Sequence, residues 1–459
     1  MPEIDPDELE VCLRVLREAE ELPIGHRDAL RVQRATASIY KRVRIRRRAE
    51  RRAAIVAHDE AVTSATATGA PGRIDDETEG RPLRSGVDDR STAGTLLQPR
   101  ACYVCKVRYV KVDAFYHQLC PDCAAFNHDR REARTDLAGR RALLTGGRAK
   151  IGMYIALRLL RDGAQTTITT RFPRDAACRF AAMDDSKDWL HRLRVVGIDL
   201  RDPAQVVALA DTVADEGPLD ILINNAAQTV RRSAQAYTPL ADAETQPLPA
   251  GPLPEMLVLG AVPHTATLAL TAGEVAHEHD LAIAGGTIDA GGLLPDLHHT
   301  NSWIQHVDEV DPVELLEVQL CNMTAPFILV SRLRPAMRAA TARRKYVVNV
   351  SAMEGQFGRG YKGPGHPHTN MAKAALNMLT RTSAGEMLES DGILMTAVDT
   401  GWITDERPHP TKMRLAEEGF HAPLDLVDGA ARVYDPIVRG EAGEDIHGCF
   451  LKDYQPSPW

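Results

Sequence analysis

The chain is predicted to be an α/β protein in which the part from residue 137 onward forms a doubly wound parallel sheet. Short apolar runs alternate there with longer helical patterns, which is typical of buried parallel strands joined by helices. A glycine-rich turn at 145–152 follows the first run and opens an apolar helix around 155–161. We expect six strands, at 143–144, 166–170, 193–198, 221–223, 346–350 and 395–398.

Length and composition limit the remaining possibilities. A chain of 459 residues is too long for one compact domain, so two or three are expected. The net charge of −8 argues against a general polyanion binder, and nucleic acid is not an expected partner. There is no apolar run of about 18 residues. The acidic start lacks an apolar signal core, so we expect a cytoplasmic protein without a membrane span.

The region before residue 99 is predicted to hold helices and then a linker. Residues 1–57 have an apolar helical stripe, interrupted at 23–25, and a basic run at 41–52. We interpret that run as a solvated helix face, with nucleic-acid binding as the less favoured alternative. Residues 58–98 have few large apolar groups and are predicted to form a flexible linker, because they cannot bury enough surface to offset chain entropy.

Four cysteines at 99–132 predict a small metal-binding module. Cys102 and Cys105 form one Cys-x-x-Cys pair, Cys120 and Cys123 form a second, and fourteen residues separate the pairs. This spacing suits four thiolates around one structural zinc, with no open position for catalysis. A redox dithiol pair is the weaker alternative, and His117 and His128 are nearby alternative ligands. Such modules bind a protein partner or brace a neighbouring domain, and the sequence leaves both open.

Residues 228–310, between the fourth strand and the next helix, are longer than a usual βα connection. We interpret them as an inserted subdomain or a lid over the cleft at the strand ends. A surface insertion without function is the alternative.

Three segments in fixed order resemble the short-chain dehydrogenase/reductase family: the turn at 145–152, Asn-Asn-Ala-Ala at 224–227, and the helical stretch 368–379. The similarity covers roughly residues 137–455. It implies a Rossmann-like domain over 137–459, a bound dinucleotide, a small-molecule substrate that remains unknown, and a homo-oligomer.

The resemblance also assigns cofactor contacts. They fall on Thr145, Gly146, Gly147, Lys150, Ile151, Gly152, Asp199, Leu200, Asn225, Ala226, Ala227, Lys373, Gly401, Ile403 and Thr404. Lys150 stands at a family glycine, and Thr400 stands at a family proline. Arg171 ends the second strand, where an arginine suits a 2′-phosphate and an acid suits a free ribose. We therefore predict NADP rather than NAD, although a strand-end arginine is also commonly just solvated.

The catalytic positions are altered. Asn322 and Lys373 match the family's asparagine and lysine, but Thr369 occupies the place of its tyrosine. The serine match is one residue off, at Ser351, because Ala352 stands at the serine position. The loop at 358–368 offers replacement acids, of which Tyr361 is our first choice and His366 and His368 are alternatives.

These features predict an NADP(H)-dependent oxidoreductase with a non-standard catalytic acid. The alternative is a catalytically inactive dinucleotide-binding scaffold or sensor that acts through its zinc module and N-terminal helices.

Overall fold

The computed structural model describes residues 4–71, 73, 90–260, 289–358, 360 and 362–459. It begins with two helices, α1 (Pro6–Glu21) and α2 (Arg27–Ser64). The Asp5 carboxylate caps α1 by accepting a hydrogen bond from the Asp7 amide at 2.8 Å. A break around Gly25, which has a φ of +90°, separates the two helices where the sequence predicted it.

The predicted flexible linker at 58–98 is wrong at both of its ends. Helix α2 continues to Ser64, and strand β1 (Thr92–Ala101) begins before the expected cysteine module. Polar contacts order these ends. The buried carboxylate of Asp59 accepts hydrogen bonds from the amides of Leu97 and Gln98, at 2.7 and 3.1 Å. The composition of the segment did not predict these ordered ends, because hydrogen bonds to one buried acid hold them rather than burial of large apolar side chains. The middle of the predicted linker, 74–89, lies outside the described residues.

The cysteine module consists of β1, its antiparallel partner β2 (Arg108–Asp113) and helix α3 (Pro121–Glu132). One Cys-x-x-Cys pair lies in the turn between the strands, and the other lies at the start of α3. Phe115, Tyr116 and Leu119 are fully buried and belong to a core that is continuous with the larger domain. The module therefore packs on the rest of the chain.

A nine-stranded sheet dominates the remainder, with the order β11-β10-β9-β8-β6-β3-β4-β5-β7. Neighbouring strands are parallel except for β10 and β11. The strands are β3 (Arg141–Leu144), β4 (Gln165–Thr170), β5 (Leu193–Gly197), β6 (Ile221–Asn224), β7 (Glu255–Val258), β8 (Lys345–Ser351), β9 (Ile393–Asp399), β10 (Phe450–Lys452) and β11 (Gln455–Ser457).

Helices cover both faces of this sheet. They are α4 (Lys150–Arg161), α5 (Pro173–Ala181), α6 (Pro203–Asp215), α7 (Thr238–Thr245), α8 (Pro312–Gln319), α9 (Ala325–Arg338), α10 (Pro367–Asp391), α11 (His409–Glu417) and α12 (Leu426–Glu441). Successive strand residues face opposite sides, so Leu143 packs in the core with α6 and α9, and Leu144 packs in the core with α4 and α12. This confirms the predicted doubly wound α/β fold.

All six predicted strands are present, as β3, β4, β5, β6, β8 and β9. Strand β7 was not predicted. It belongs to the long insertion and extends the sheet beside β5, where Arg194 and Glu255 form an ion pair at 2.9 Å. The insertion thus contributes an edge strand, although its residues 261–288 lie outside the described part of the chain.

The run Pro312–Arg338, which contains α8 and α9, is long and apolar enough to cross a membrane by length and composition alone. Half of its most apolar window is buried in the fold. Core helices of soluble proteins meet the same criterion, so this is weak support for a membrane span.

The sheet order reverses between β3 and β6, since the chain moves outward in one direction through β4 and in the other through β8. Ligands of open α/β sheets bind beside the carboxyl ends of the strands at such a switch point.

Candidate functional site

The glycine-rich turn lies at this switch point, between β3 and α4. Gly146 has a φ of +69°, a conformation that side chains rarely adopt. A Cβ at Gly152 would overlap the carbonyl oxygen of Gly146 and lie 2.9 Å from Asn225 Nδ2. The absence of a side chain at Gly152 therefore lets the first turn of α4 pack against the loop, with helix amide groups available to an anion.

Asn225 and Thr145 hold the turn in place. The Asn225 amide group donates to the carbonyls of Thr145 and Gly146, both at 3.1 Å. The Thr145 hydroxyl accepts from the backbone amides of Asn225 and Ala226, both at 3.0 Å. Thr169, which the sequence did not single out, accepts from the Gly146 amide at 3.1 Å. The predicted Thr145 and Asn225 thus hold the glycine turn in shape.

Lys150 occupies the family's glycine position with a φ of +52°, which explains why glycine is usual there. Its ammonium group lies 3.6 Å from the carboxylate of Asp289, in the second half of the long insertion. The lysine is thereby held toward the insertion. Sequence reasoning missed Asp289 because nothing local marks a residue that is distant in the chain.

Arg171 lies at the end of β4, as the NADP prediction requires. Its guanidinium lies 4.9 Å from the ring centroid of Tyr237 and 5.6 Å from that of Phe172. Among the described residues it forms no ion pair. By contrast, Arg148 is paired with Asp175 at 2.6 Å, and Arg174 donates to the Gln246 carbonyl. Arg171 is therefore a basic group at the strand end that forms no ion pair among the described residues, although its charge also helps to lower the pKa of the nearby Asp199 carboxyl.

Asp199 and Leu200 follow β5. Burial opposes ionisation of Asp199, but hydrogen bonds and charge from Arg201 outweigh it and hold the pKa of this carboxyl below its usual value. Arg201 also contacts the buried carboxylate of Glu317 at 2.8 Å. The acid is thus fixed in place by an arginine that the sequence analysis had not considered.

These groups line one cavity of about 390 Å³. The predicted cofactor residues that line it are Gly146, Lys150, Ile151, Gly152, Arg171, Asp199, Leu200, Asn225, Ala226, Ala227, Ile403 and Thr404. Tyr237, Cys321 and Gly291 line it as well. Thr145, Gly147, Gly401 and Lys373 are not part of its lining.

The loop after β9 closes one side of the cavity. Gly401 has a φ of +77°, and its amide donates to the Asp399 carboxylate at 3.1 Å. Ile403 is buried, and the hydroxyl of Thr404 is buried without a hydrogen-bond partner. A buried hydroxyl without a partner is costly, and a polar ligand group in the cavity would satisfy it.

Four of the predicted catalytic residues, Asn322, Ser351, Thr369 and Lys373, lie near the ends of β8, α8 and α10 and are not part of that lining. Ser351 donates its hydroxyl to Asn377 Oδ1 at 2.6 Å. Asn322 lies in a single π-helical turn, Leu320–Thr324, and its amide group bonds both backbone groups of Gln228, at 2.7 and 2.9 Å. π-Helical turns often occur at functional sites. The Thr369 hydroxyl is buried and unpartnered.

Lys373 is buried, and its ammonium group donates to the Val350 carbonyl at 2.9 Å. Burial lowers the pKa of this ammonium to about 8, although Cys321 and Glu354 act in the opposite direction. The ammonium of Lys373 is therefore easier to deprotonate than that of an ordinary lysine.

The candidate replacement acids differ. The His366 ring stacks on Trp303 with centroids 4.0 Å apart, and its Nδ1 contacts the Trp303 carbonyl at 2.8 Å, which indicates a structural role. The His368 ring is buried with no hydrogen bond to either nitrogen, and burial lowers its pKa. Glu314 lies 3.9 Å from its Nε2. Tyr361 lies outside the described residues.

The four predicted metal ligands come together. The sulfur atoms of Cys102, Cys105, Cys120 and Cys123 lie within 4.8 Å of one another. The Cys120 amide donates to Cys102 Sγ at 3.3 Å. The two nearby histidines are engaged elsewhere: His117 bonds Thr68 at 2.8 Å, and His128 contacts Asp113 at 3.2 Å. The cysteines alone thus form the cluster.

Comparisons with known proteins concern the sheet domain. The sequence model described as "short chain dehydrogenase" matches residues 140–245, which span the glycine turn, Arg171 and Asn225. The chain belongs to the short-chain dehydrogenase/reductase family.

Similar proteins include an uncharacterized protein of Acanthamoeba polyphaga mimivirus. It is 32% identical over 357 residues, which cover 74% of this chain and 71% of the viral protein. A probable oxidoreductase of Streptomyces antibioticus is 38% identical over 91 residues, or 20% of this chain and 30% of that protein. Similarity to the viral protein therefore reaches well outside residues 140–245.

Among solved structures, the chain is similar to an NADPH-bound carbonyl reductase from chicken fatty liver. The TM-score is 0.45 at 18% identity, with 72% of this chain and 98% of the other covered. A metagenomic short-chain oxidoreductase in complex with NADP gives a TM-score of 0.40 at 18% identity, covering 69% and 96%.

Proposed function

We propose that this protein is an NADP(H)-dependent oxidoreductase of the short-chain type that acts on a small-molecule substrate. The observation that carries the proposal is the cavity at the switch point, where the glycine turn, Arg171 and the unpartnered Thr404 hydroxyl face one space. The close approach of Gly152 to Gly146 leaves room for a pyrophosphate at the start of α4. These residues fit a dinucleotide.

The choice of NADP over NAD depends on Arg171. A guanidinium that forms no ion pair among the described residues and lies over the Tyr237 ring can bond a 2′-phosphate through two N–H groups. Titration with NADPH and NADH in parallel tests the choice. Tighter binding of NADPH supports the preference for NADP. Tighter binding of NADH refutes the role of Arg171 but leaves the proposed dinucleotide site intact.

When bound, the nicotinamide would supply or accept the hydride. The chain's own groups would do the rest: the Thr404 hydroxyl would anchor a carboxamide, and Lys373 would hold a ribose hydroxyl in place of its bond to Val350. The Thr369 hydroxyl is too weak an acid to protonate a carbonyl at neutral pH, although it can orient the substrate.

We assign the catalytic acid to Tyr361, with His368 as the alternative. A phenol near Lys373 would have a lowered pKa, as in the ordinary family site. The buried His368 ring, which has two unpartnered nitrogens, supports the alternative because a neutral imidazole can still donate its N–H group. Tyr361→Phe and His368→Gln, compared with Lys373→Met, separate these assignments. Full turnover in Tyr361→Phe or His368→Gln would exclude the replaced residue as the catalytic acid.

The rival function is a dinucleotide-binding scaffold or sensor without turnover. One observation favours it: Ser351, Asn322 and Lys373 are each hydrogen-bonded within the fold. A panel of aldehydes, ketones and alcohols, assayed with both cofactors by nicotinamide absorbance, distinguishes the two functions. Tight binding with no turnover on any class would favour the rival.

We also propose one structural zinc on the four cysteines. The clustering of their sulfur atoms and the N–H···S contact of Cys120 support a tetrathiolate shell. Elemental analysis should give one zinc per chain and a loss of metal in Cys120→Ser. Unchanged metal content in that variant would refute the assignment. A cytoplasmic location, a homo-oligomeric state and a protein partner for the module remain further expectations.

A further inference from the structure

A residue between the first two cysteines contacts the loop that closes the cofactor cavity. Tyr103, between Cys102 and Cys105, accepts a hydrogen bond at its hydroxyl oxygen from the backbone amide of Trp402 at 2.9 Å. Trp402 lies between Gly401 and Ile403, in the loop that meets the nicotinamide in the family. A side chain of the metal-binding module thus holds a backbone group of the cofactor loop directly.

The loop is held from two sides at this point. The Gly401 amide donates to Asp399, whose carboxylate also contacts Lys452 at 3.2 Å. The Lys452 ammonium lies 5.8 Å from the centre of the Tyr103 ring. Tyr103 is therefore placed against the loop by its position in the module and by the Asp399–Lys452 pair.

A second set of contacts fixes the chain just beyond the loop. Arg73 donates to the carbonyls of Ala422 and Leu424, at 2.9 and 2.7 Å. The Tyr116 hydroxyl donates to the buried Asp428 at 2.6 Å. The same N-terminal region thus anchors both the loop and the segment that follows it.

These contacts hold a loop that lacks the proline of the family pattern. The loop carries Thr400 where the family has a proline, which would limit its conformations. Gly401 adds conformational freedom, because glycine loses more backbone entropy on folding than any other residue. We propose that Tyr103 is a positioning residue for the nicotinamide half of the cofactor site, and that the cysteine module contributes to cofactor binding through it. This inference rests on the proposed function.

Tyr103→Phe tests the inference, because it removes one oxygen atom and keeps the ring. The readout is the Kd for NADPH and, separately, for adenosine 2′,5′-bisphosphate, which lacks the nicotinamide half. Loss of one neutral hydrogen bond should weaken NADPH binding about three- to tenfold. Binding of adenosine 2′,5′-bisphosphate should change less than twofold, because the hydrogen bonds of Tyr103 go to Gln118, Lys106 and Trp402 and not to Arg171 or the glycine turn.

Tyr109→Phe is the matched control. Tyr109 is a buried tyrosine of the same module whose hydroxyl donates to the His117 carbonyl at 3.0 Å, without touching the loop. Tyr109→Phe should leave the affinities for NADPH and for adenosine 2′,5′-bisphosphate unchanged. A loss of module stability would affect both variants and both ligands, whereas a positioning role affects NADPH in Tyr103→Phe alone.

The outcomes separate this inference from the proposed function. If the wild type binds NADPH and Tyr103→Phe binds it equally well, or loses both ligands equally, the positioning role is overturned and the proposed function stands. If the wild type binds neither ligand, the positioning role of Tyr103 and the proposed function are both refuted. Hydrogen exchange of the Trp402 amide in the wild-type protein needs no variant. Slow exchange supports the bond, and exchange at the rate of a free amide overturns it.

Discussion

Replacing Gly152 with alanine tests the cofactor turn with the smallest possible change. The new Cβ would overlap the Gly146 carbonyl oxygen and lie 2.9 Å from Asn225 Nδ2. The overlapped atom is backbone, so no rotation of a side chain relieves the clash. Either α4 moves away from the loop or the loop moves away from α4.

The magnitude follows from that geometry. Overpacking by one methyl group in a site that cannot yield costs about 1–3 kcal/mol of stability. Displacement of the turn also misaligns the amides at the start of α4, which would contact the pyrophosphate. We therefore expect Gly152→Ala to weaken NADPH binding by more than about tenfold, which corresponds to about 1.4 kcal/mol.

Gly385→Ala is the matched control, since it makes the same chemical change in α10. A Cβ at Gly385 would have no atom within 4 Å. Alanine is favoured over glycine inside a helix by about 1 kcal/mol, so this variant should melt at a higher temperature and bind NADPH normally. Thermal melting and calorimetric titration of both variants provide the comparison. If Gly152→Ala melts at the wild-type temperature and binds NADPH with wild-type affinity, the predicted clash with the Gly146 carbonyl is wrong.

Three further predictions concern charge and metal. Arg171→Ala should weaken NADPH binding roughly 10- to 100-fold in calorimetry, because a hydrogen bond to a charged group contributes about 1.5–3 kcal/mol, and should leave NADH binding within about twofold. Lys373 has a folded pKa of about 8, below its usual 10.5, so the unfolded chain binds more protons above pH 8. The melting temperature of the wild type relative to Lys373→Met should therefore rise from pH 8 to 10, and a flat difference would contradict the burial effect. A zinc chelator should lower the melting temperature of the wild type and leave that of Cys120→Ser unchanged, whereas an equal response would show that the metal lies elsewhere.

Local sequence patterns predicted the six inner strands because several of them, such as β3 and β6, are short apolar runs, and β4 is rich in β-branched threonine and isoleucine. Strand β4 begins one residue before its predicted bound, and β8 extends one residue beyond its predicted bounds at each end. Strand β7 was missed because its four residues are only partly buried at a sheet edge, so their pattern is weak. The ordered ends of the predicted linker were missed for a related reason. Asp59 orders them through two hydrogen bonds, and one acid leaves no periodic signal.

At the site, the sequence predicted residues whose type is fixed by backbone geometry. Gly146 and Gly152 are needed where side chains would clash, and Arg171 ends a strand at a known place relative to the turn. Long-range partners were not predictable. Asp289 reaches Lys150 from the insertion, and Tyr103 reaches Trp402 from 299 residues away. Such contacts depend on how distant elements pack, which one sequence does not display.

The central claim is that the cavity at the switch point binds NADP(H). Titration of the purified wild-type protein with NADPH, followed by nicotinamide fluorescence and calorimetry, tests it most directly. We expect saturable binding of one NADPH per chain that is tighter than NADH binding and is weakened by more than about tenfold in Gly152→Ala. Absence of binding to both NADPH and NADH would contradict the account.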